Sequence, residues 1–352
     1  MERYSMRMGR ERKFWFMRLL LMMAAGVFLY GCTGKSTHEA SASREFFAMD
    51  TVMTVTAYGG RCEEAVEAAE KEVKRLDALL STGAEDSEVF RLNREEGGFV
   101  SEDTAALLEG AERICKETDG AFDISIYPVM QAWGFPDKEY RVPEPEELKA
   151  LLDRVDGSQI VLDGKREKVT FGLEGMEIDL GGIAKGYTSN RMMKIFQEYG
   201  IESGIVSLGG NVQVLGRKAN GGNWRVAVRS PKGDGDFLGV LSVNGKAVVT
   251  SGGYERYFEQ DGKTYHHILN PKSGYPADSG LESVTVVSED GMLADGLSTA
   301  LFVMGMEQAV SFWKLHREEF DAVFLDKEGE LWITEGLEGA FQSDFSYEII
   351  RK

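Results

Sequence analysis

The chain has 352 residues, 43% of them apolar, and a formal net charge of −18. This length and apolar content suffice for a large buried core, which excludes a disordered protein. The acidic balance argues against nucleic acid as a partner, because the sequence holds no basic stripe with interleaved aromatic residues to offset it. An anionic ligand would therefore need a local source of positive charge, such as a metal ion or a helix N-terminus.

Residues 1–31 have the layout of a secretory signal peptide. A basic segment precedes an uncharged, mostly apolar run, Leu19 to Tyr30, which is shorter than the roughly 20 residues of a transmembrane helix. The ending Gly31-Cys32 resembles the lipobox of bacterial lipoproteins. We expect cleavage before Cys32, diacylglyceryl modification of its thiol, and a lipid anchor on the extracytoplasmic face of the cell membrane. The alternative is an ordinary signal peptide with an incidental cysteine.

Removal of residues 1–31 takes away six basic and two acidic residues, so the formal charge falls from −18 to −22. Residues 32–45 are predicted as a lipidated linker, and 46–352 as the folded domain. The folded part begins with one long strand, Phe46 to Tyr58, which is rich in β-branched and aromatic residues. Two other cysteines, Cys62 and Cys115, lie in helical patterns; we favour free thiols, and a disulfide stays open.

Helical spacing of apolar residues predicts a helix over Glu63–Leu80 and another that begins after Ser101 as N-cap. A hairpin is predicted around Asp163-Gly164. The central stretch Glu177–Tyr187 then reads as the end of a strand, a tight Gly181-Gly182 turn, and a helix that starts near Ile183. Such a helix start, with a lysine in its first turn, suits a phosphate group. The alternative is a plain strand-to-helix connection.

The second half of the chain reads as strands and turns, followed by two helices. A second Gly-Gly pair within one predicted strand over Gly204–Gly216 indicates a bulge or a point where a ligand approaches the backbone. Asn244-Gly245 predicts a type I′ hairpin, and a further hairpin presents His266 and His267 at its end. Mostly antiparallel strands mixed with helices indicate the α+β class.

Asp295 and Thr299 lie four residues apart in a predicted helix over 292–304. That spacing puts a carboxylate and a hydroxyl on one face, where they could share a hard cation such as Mg²⁺. The alternative is that Thr299 bonds back to the carbonyl of residue 295 while Asp295 is solvated or caps the start of the helix. His267 is the candidate general base, because imidazole titrates near neutrality. A structural histidine at a hairpin end is equally compatible.

Several ordered segments closely resemble the signature blocks of the ApbE family of flavin transferases. The five main blocks are Asp179–Gly186, Ser207–Asn211, Thr250–Tyr254, His267–Gly274 and Ala294–Ala300. Met49-Asp-Thr51 and Gly120–Asp123 match the N-terminal blocks of the family. The resemblance extends from Phe46 to the final predicted hairpin, and it implies a T-fold-related, two-lobed single domain with FAD in a cleft.

The resemblance also assigns site residues by motif position. It implies Mg²⁺ as cofactor, held by the Ala184 carbonyl, the Asp295 carboxylate and the Thr299 hydroxyl. The residues implied to contact the flavin nucleotide are Met49, Ala121, Phe122, Asp123, Asp179, Lys185, Ile268 and Leu269. Many family members carry a stacking aromatic residue where this chain has Gly83, so stacking must come from elsewhere or affinity for FAD is lower.

The implied reaction moves FMN from FAD to a threonine hydroxyl of an acceptor protein and releases AMP. The implied acceptors are membrane redox subunits of the Rnf or Nqr type, or secreted flavoproteins, with a motif like Asp-Gly-x-Thr-Ser/Gly-Ala-Thr. This motif does not occur in the chain itself. Two alternatives stay open: hydrolysis of FAD to FMN and AMP, and a flavin-binding lipoprotein without catalysis.

Overall fold

A nine-stranded sheet is the largest element of the computed structural model, which describes residues 40–231 and 236–352. Residues from Ala40 to Lys352 form one compact unit. The predicted signal peptide, Cys32 and residues 33–39 of the predicted linker lie outside the described residues. Among the helices of the described part, none is both long and apolar enough to cross a membrane.

The described residues form eight α-helices and seventeen strands. The helices are α1 Cys62–Leu80, α2 Glu88–Glu95, α3 Glu102–Glu117, α4 Tyr127–Ala132, α5 Pro145–Leu152, α6 Ala184–Glu198, α7 Gly291–Met304 and α8 Met306–His316. The first nine strands are β1 Ser41–Ala48, β2 Thr51–Tyr58, β3 Gly97–Phe99, β4 Ile160–Leu162, β5 Lys168–Phe171, β6 Ser203–Leu208, β7 Asn211–Leu215, β8 Trp224–Arg229 and β9 Phe237–Val243. The others are β10 Ala247–Gly252, β11 Tyr257–Gln260, β12 Lys263–His266, β13 Leu281–Ser288, β14 Phe320–Asp326, β15 Leu331–Thr334, β16 Phe341–Gln342 and β17 Glu348–Ile350.

The large sheet has the order β1-β2-β6-β7-β10-β13-β14-β15-β17, and only its last pair, β15 with β17, is parallel within the described residues. Its central strands are buried on both faces. Val249 and Val286 face a helical layer that includes α3 and α7, whereas Val248 and Val287 face the smaller sheet β16-β9-β8. The predicted α+β class is confirmed.

The predicted single strand over Phe46–Tyr58 is wrong. Two strands, β1 and β2, pair as an antiparallel hairpin instead. The chain reverses at Met49 and Asp50, whose φ angles of 47° and 60° are left-handed, as a type I′ turn requires. Because β1 already starts at Ser41, residues 41–45 belong to the sheet and not to a linker.

Two further strand predictions are wrong, the first because of a local turn and the second because of long-range pairing. Gly209-Gly210 does not form a bulge; it is the turn of the hairpin β6–β7, with Gly209 at φ 72°. The chain does turn at Asn244-Gly245, yet the flanking strands do not pair with each other. β9 joins the smaller sheet, while β10 inserts between β7 and β13 of the large sheet. The predicted hairpins β4–β5 and β11–β12 are confirmed.

The segment before α6 is extended, but it is not the strand that its alternating pattern suggested. The side chain of Asn93 replaces a neighbouring strand: it accepts the Ile178 N–H at 2.8 Å and donates to the Ile178 carbonyl at 2.9 Å. The Asp179 N–H donates to the Ile124 carbonyl at 2.8 Å. The predicted helix itself is confirmed, since α6 starts at Ala184.

Helices α6 and α7 cross in close backbone contact on the large sheet. A Cβ atom built on Gly186 would lie 2.1 Å from the Gly291 carbonyl oxygen and 2.7 Å from Asp295 Cβ. No side chain fits at this position without a shift of one helix. Glycine at position 186 therefore lets the start of α6 lie directly against α7.

Gly186→Ala should destabilise the fold by about 1–3 kcal/mol, because the added methyl group forces the two helices apart. Chemical denaturation measures the free energy of unfolding. Gly60→Ala is the matched control, since a Cβ at Gly60 meets no atom within 4 Å. Equal stability of the two variants would contradict the close helix contact.

Candidate active site

The loop before α6 and the first turn of the helix bring the side chains of Asp179 and Lys185 close to Gly181. Asp179 Oδ1 accepts the Gly181 N–H at 2.9 Å, and Lys185 Nζ lies 3.4 Å from the Gly181 carbonyl oxygen. Burial raises the pKa of Asp179, and the positive charges of Lys185 and Arg256 oppose this shift. The loop and the first turn of α6 thus place the positive charge of Lys185 near the Asp179 carboxyl group.

Asp295 connects α7 to the start of α6. Its Oδ2 accepts the Gly186 N–H at 2.7 Å, and the residue is only 5% exposed. Burial raises the pKa of Asp295, while Lys185 and the backbone N–H groups of α6 act in the opposite direction. A carboxylate that is desolvated in this way gains from any cation that comes into contact with it.

Three hydroxyl groups lie beside Asp295 between α7 and β10. The Ser251 hydroxyl is 2.8 Å from the Ser298 hydroxyl and 3.3 Å from the Thr299 hydroxyl. Ser298 donates to the Asp295 carbonyl at 2.8 Å, so the back-bond considered for Thr299 is made by its neighbour. The half-buried Thr299 hydroxyl is thereby left beside the site.

The donor set around Asp295 fits a hard divalent cation. The described residues contain no group of three or more His, Cys, Asp or Glu side chains that could hold a metal ion. A cation here would rest on one carboxylate, neutral oxygens and substrate phosphate, which is how Mg²⁺ is commonly bound. The Ala184 carbonyl already accepts the Thr188 hydroxyl at 2.7 Å, so a cation at this oxygen competes with that hydroxyl.

His267 is neutral in the ligand-free protein, and its tautomer is fixed. Its Nδ1 lies 3.2 Å from the Arg256 carbonyl oxygen, which can only accept, so Nδ1 carries the proton and Nε2 is an acceptor. Burial, with the positive charge of Arg256 as the second cause, lowers the pKa of His267 to about 3. The ring therefore has a free lone pair at neutral pH, but it is a weak base.

Lys185 is the electrostatic centre of the site. Its charge acts on the pKa of four titratable groups from four separate segments: Asp179, Glu255, His267 and Asp295. Glu255 and Arg256 were not predicted as site residues. Their position directly after the Thr250–Tyr254 block was the one available signal, and the residue types themselves were uninformative.

Some predicted flavin contacts lie close to this centre. Phe122 is buried, and its ring would lie 3.0 Å from a Cβ atom built on Gly182 in the loop before α6. Ala121 is its buried neighbour. Met49 Sδ lies 3.8 Å from the Thr188 hydroxyl on α6, one turn after Ala184. These residues lie near the start of α6, and their contact with the flavin nucleotide stays a prediction.

Other predicted contacts have structural roles in the described protein. Both Asp123 oxygens are occupied, since Oδ1 accepts the Ser125 N–H and hydroxyl at 2.8 and 2.6 Å, and Oδ2 accepts the Gly157 N–H at 2.8 Å. Ile268 and Leu269 are core side chains, and the Ile268 carbonyl accepts the Ala277 N–H at 2.9 Å. Contact of these three residues with the flavin nucleotide stays a prediction.

Two concavities of ligand size flank these segments. A cavity of about 740 Å³ is lined by Gly120 and Asp123, together with Cys115 and Lys272. Cys115 and Cys62 are free thiols, as predicted, and burial raises the pKa of Cys115 to about 12. A second cavity of about 560 Å³ has the aromatic lining residues Tyr254, Tyr257, Tyr265, His266, Tyr275 and Phe302.

An aromatic residue does lie near the loop that carries Gly83. Tyr127 is buried, which raises the pKa of its hydroxyl, and hydrogen bonds with Thr82 and Gln131 oppose that shift. The negative charges of Asp179 and Glu177 also act on this hydroxyl. Tyr127 therefore links the Thr82-Gly83 loop to the loop before α6.

Solved structures share this fold. The ApbE protein of Thermotoga maritima matches with a TM-score of 0.81 and 33% identity, over 86% of this chain and 100% of that chain. The flavinyl transferase ApbE of Pseudomonas stutzeri, in its apo form, matches with a TM-score of 0.77 and 28% identity, over 87% and 98%.

Sequence comparison identifies the family. The model of the ApbE family matches residues 49–324. A Klebsiella pneumoniae (strain 342) protein named FAD:protein FMN transferase is 36% identical over 283 residues, 79% of this chain and 87% of that protein. A Treponema pallidum (strain Nichols) protein of the same name is 33% identical over 336 residues, 89% and 91%. The chain belongs to the ApbE family.

His267→Gln should make the ligand-free fold less sensitive to acid. The folded pKa of His267, about 3, lies below the value near 6.5 of an unfolded histidine. The unfolded wild-type chain therefore takes up the extra proton, and stability is lost as pH falls below about 6.5. From pH 7.5 to pH 5 the wild type should lose up to about 2 kcal/mol more than the variant. Urea unfolding at both pH values measures this difference, and parallel losses would contradict the buried neutral histidine.

Proposed function

We propose that this protein transfers FMN from FAD to a threonine hydroxyl of an acceptor protein, with Mg²⁺ as cofactor and AMP as the leaving group. One observation carries the proposal: Lys185, at the N-terminus of α6, lies among Asp179, His267 and Asp295. A cation site, a phosphate site and a proton acceptor thereby come together. Relatives named FAD:protein FMN transferase support the flavin substrate and the transfer.

The pyrophosphate of FAD is the group that this site would bind first. The dipole of α6 and the Lys185 ammonium group both favour an anion. The first N–H groups of the helix are already bound, because Ala184 N–H donates to the Leu180 carbonyl and Gly186 N–H donates to Asp295. Arg256 supplies a second positive charge, and its Nη2 is held by the Phe135 carbonyl at 3.0 Å. Together with a bound cation, these local charges would offset the repulsion that an acidic protein exerts on a dinucleotide.

Asp295 and Thr299 would hold the Mg²⁺ ion, with the Ala184 carbonyl as a third oxygen ligand. When bound, the ion neutralises charge on the phosphoryl group and on the departing AMP. Asp295 keeps its carboxylate aimed by accepting the Gly186 N–H. Ser251 orients the Thr299 hydroxyl from β10.

The chemical step forms a bond between the threonine oxygen and the phosphorus of the FMN half, and it breaks the bond between that phosphorus and the AMP oxygen. The proton of the threonine hydroxyl goes to His267 Nε2, the lone pair left free by the Nδ1 contact with Arg256. Bound pyrophosphate adds negative charge near the ring, which raises the pKa of His267 above its ligand-free value. Bound FAD would therefore make His267 a stronger base.

The proposal also covers the location of the enzyme and its acceptor proteins, which depend on residues outside the described part of the chain. Lipid attachment at Cys32 would hold the enzyme on the extracytoplasmic face of the cell membrane. The acceptors there would be membrane redox subunits of the Rnf or Nqr type, or secreted flavoproteins. A lipid anchor suits such partners, because it raises the local concentration of enzyme at the membrane.

The test mixes the protein with FAD, Mg²⁺ and an acceptor fragment that carries the threonine motif. We expect flavin fluorescence on the denatured fragment. The fluorescence should be absent when the threonine of the fragment is replaced by alanine or when a chelator is added. Release of FMN and AMP without a labelled fragment would show that the protein hydrolyses FAD and does not transfer FMN. Tight binding of FAD with no product would leave a flavin-binding lipoprotein.

Asp295→Asn should lower the rate of transfer by at least about 100-fold, because the amide cannot offer the cation a negative charge. The folded protein should be at least as stable as the wild type at neutral pH, since a desolvated carboxylate is removed while an acceptor for the Gly186 N–H remains. Asp344→Asn, at an exposed position, is the control. Full activity of Asp295→Asn would exclude Asp295 as a ligand.

A further inference from the structure

Gln213 is a strand residue whose side chain lies between α6 and the sheet. It belongs to β7 and is 4% exposed. Its Oε1 accepts the Ser189 hydroxyl at 2.5 Å, and its Nε2 donates to Asn190 Oδ1 at 3.1 Å. Both polar atoms of the carboxamide therefore bind α6, one turn after Lys185-Gly186.

Asn190 extends this contact to α7. Its Oδ1 also accepts the Gly291 N–H at 2.9 Å, and its Nδ2 donates to Asp290 Oδ1 at 2.7 Å. The same Asp290 oxygen accepts the Met292 N–H at 2.9 Å and so caps α7. One continuous hydrogen-bond network thus joins β7, the side of α6 and the N-terminus of α7.

The network lies at the point where the two helix backbones meet. A Cβ atom built on Gly291 would lie 2.5 Å from Ser189 Oγ, 2.6 Å from Gln213 Oε1 and 2.9 Å from the Gly186 carbonyl oxygen. No space is left between the carboxamide and the helices. The length and hydrogen bonds of residue 213 therefore limit how α6 and α7 can approach each other.

We propose that Gln213 is a positioning residue for the cation site. It fixes α6 relative to α7, and thereby the separation of the Ala184 carbonyl from the Asp295 carboxylate. Asp295 lies one helical turn after Gly291, and Ala184 lies in the turn of α6 before Ser189, so a shift at the crossing moves both oxygens. The inference rests on the proposed function, because it takes these oxygens as cation ligands.

Gln213→Met tests this role, since methionine keeps the side-chain length and removes both hydrogen bonds. The dissociation constant for Mg²⁺ should rise about 10-fold, the lower end of the effect of losing a hydrogen-bond partner of a metal ligand, because Gln213 acts on the ligands only through the helices. Titration calorimetry of Mg²⁺ into the FAD-bound protein measures it, at a temperature where every variant is folded.

Thr334→Val is the matched control for a loss of buried hydrogen bonds. The fully buried Thr334 hydroxyl accepts the Ala322 N–H at 3.0 Å and donates to Asp321 Oδ1 at 2.8 Å, in strand β15 and apart from the helix crossing. This variant should unfold more easily than the wild type, while its dissociation constant for Mg²⁺ stays within about twofold. A merely structural Gln213 would behave in the same way.

Three outcomes decide the inference. The inference is supported if Gln213→Met weakens Mg²⁺ binding while Thr334→Val does not. If adding Asn190→Leu to Gln213→Met causes no further loss of Mg²⁺ affinity, the two residues act through one shared network. Unchanged Mg²⁺ binding in Gln213→Met, with transfer of FMN intact, overturns the inference and leaves the proposed function standing. A wild-type protein that binds no Mg²⁺ overturns the cation site, and the positioning role with it.

Discussion

The contact between α6 and α7 at Gly186 is the constraint on which the site depends. It brings the N-terminus of one helix against the carboxylate of another, through the hydrogen bond from the Gly186 N–H to Asp295. Such a contact is only possible where a helix offers an unpaired N–H group and lacks a side chain. The helix start proposed to bind phosphate and the carboxylate proposed to bind the metal ion are therefore neighbours.

Two basic side chains and three acids lie near this contact. The chain is strongly acidic, yet Lys185 and Arg256 lie at the start of α6 and beside His267. Three acids near Lys185, namely Asp179, Glu255 and Asp295, have their pKa raised by burial. The site is thus short of positive charge until a cation is added, which is the condition under which a metal ion and an anionic substrate favour each other's binding.

Local signals predicted the longer helices but not the short helices α2 and α4. Ser101 caps α3 by accepting the Thr104 N–H, and α6 begins where the Gly181-Gly182 loop ends. Strand partners could not be predicted in the same way, because pairing is decided by residues far away in the sequence. Asn244-Gly245 predicted a turn correctly, but the flanking strands belong to different sheets.

The site was predictable only where a motif gave both residue type and position. Asp295 and His267 do lie near the positive charge of Lys185. Asp123 instead uses both carboxylate oxygens within the protein, which its motif could not reveal. Gln213 gave no signal at all, because a buried glutamine on a strand acquires its role only from the helices that pack over it.

The central claim is that the start of α6 and the Asp295–Thr299 face of α7 form one cation and pyrophosphate site. Anomalous X-ray scattering from crystals grown with FAD and Mn²⁺ tests it most directly. We expect one strong peak within bonding distance of the Asp295 carboxylate and the Thr299 hydroxyl, with the FAD pyrophosphate on the opposite side of the ion. A peak elsewhere, for example among the acids of the cavity beside Asp123, would contradict the account.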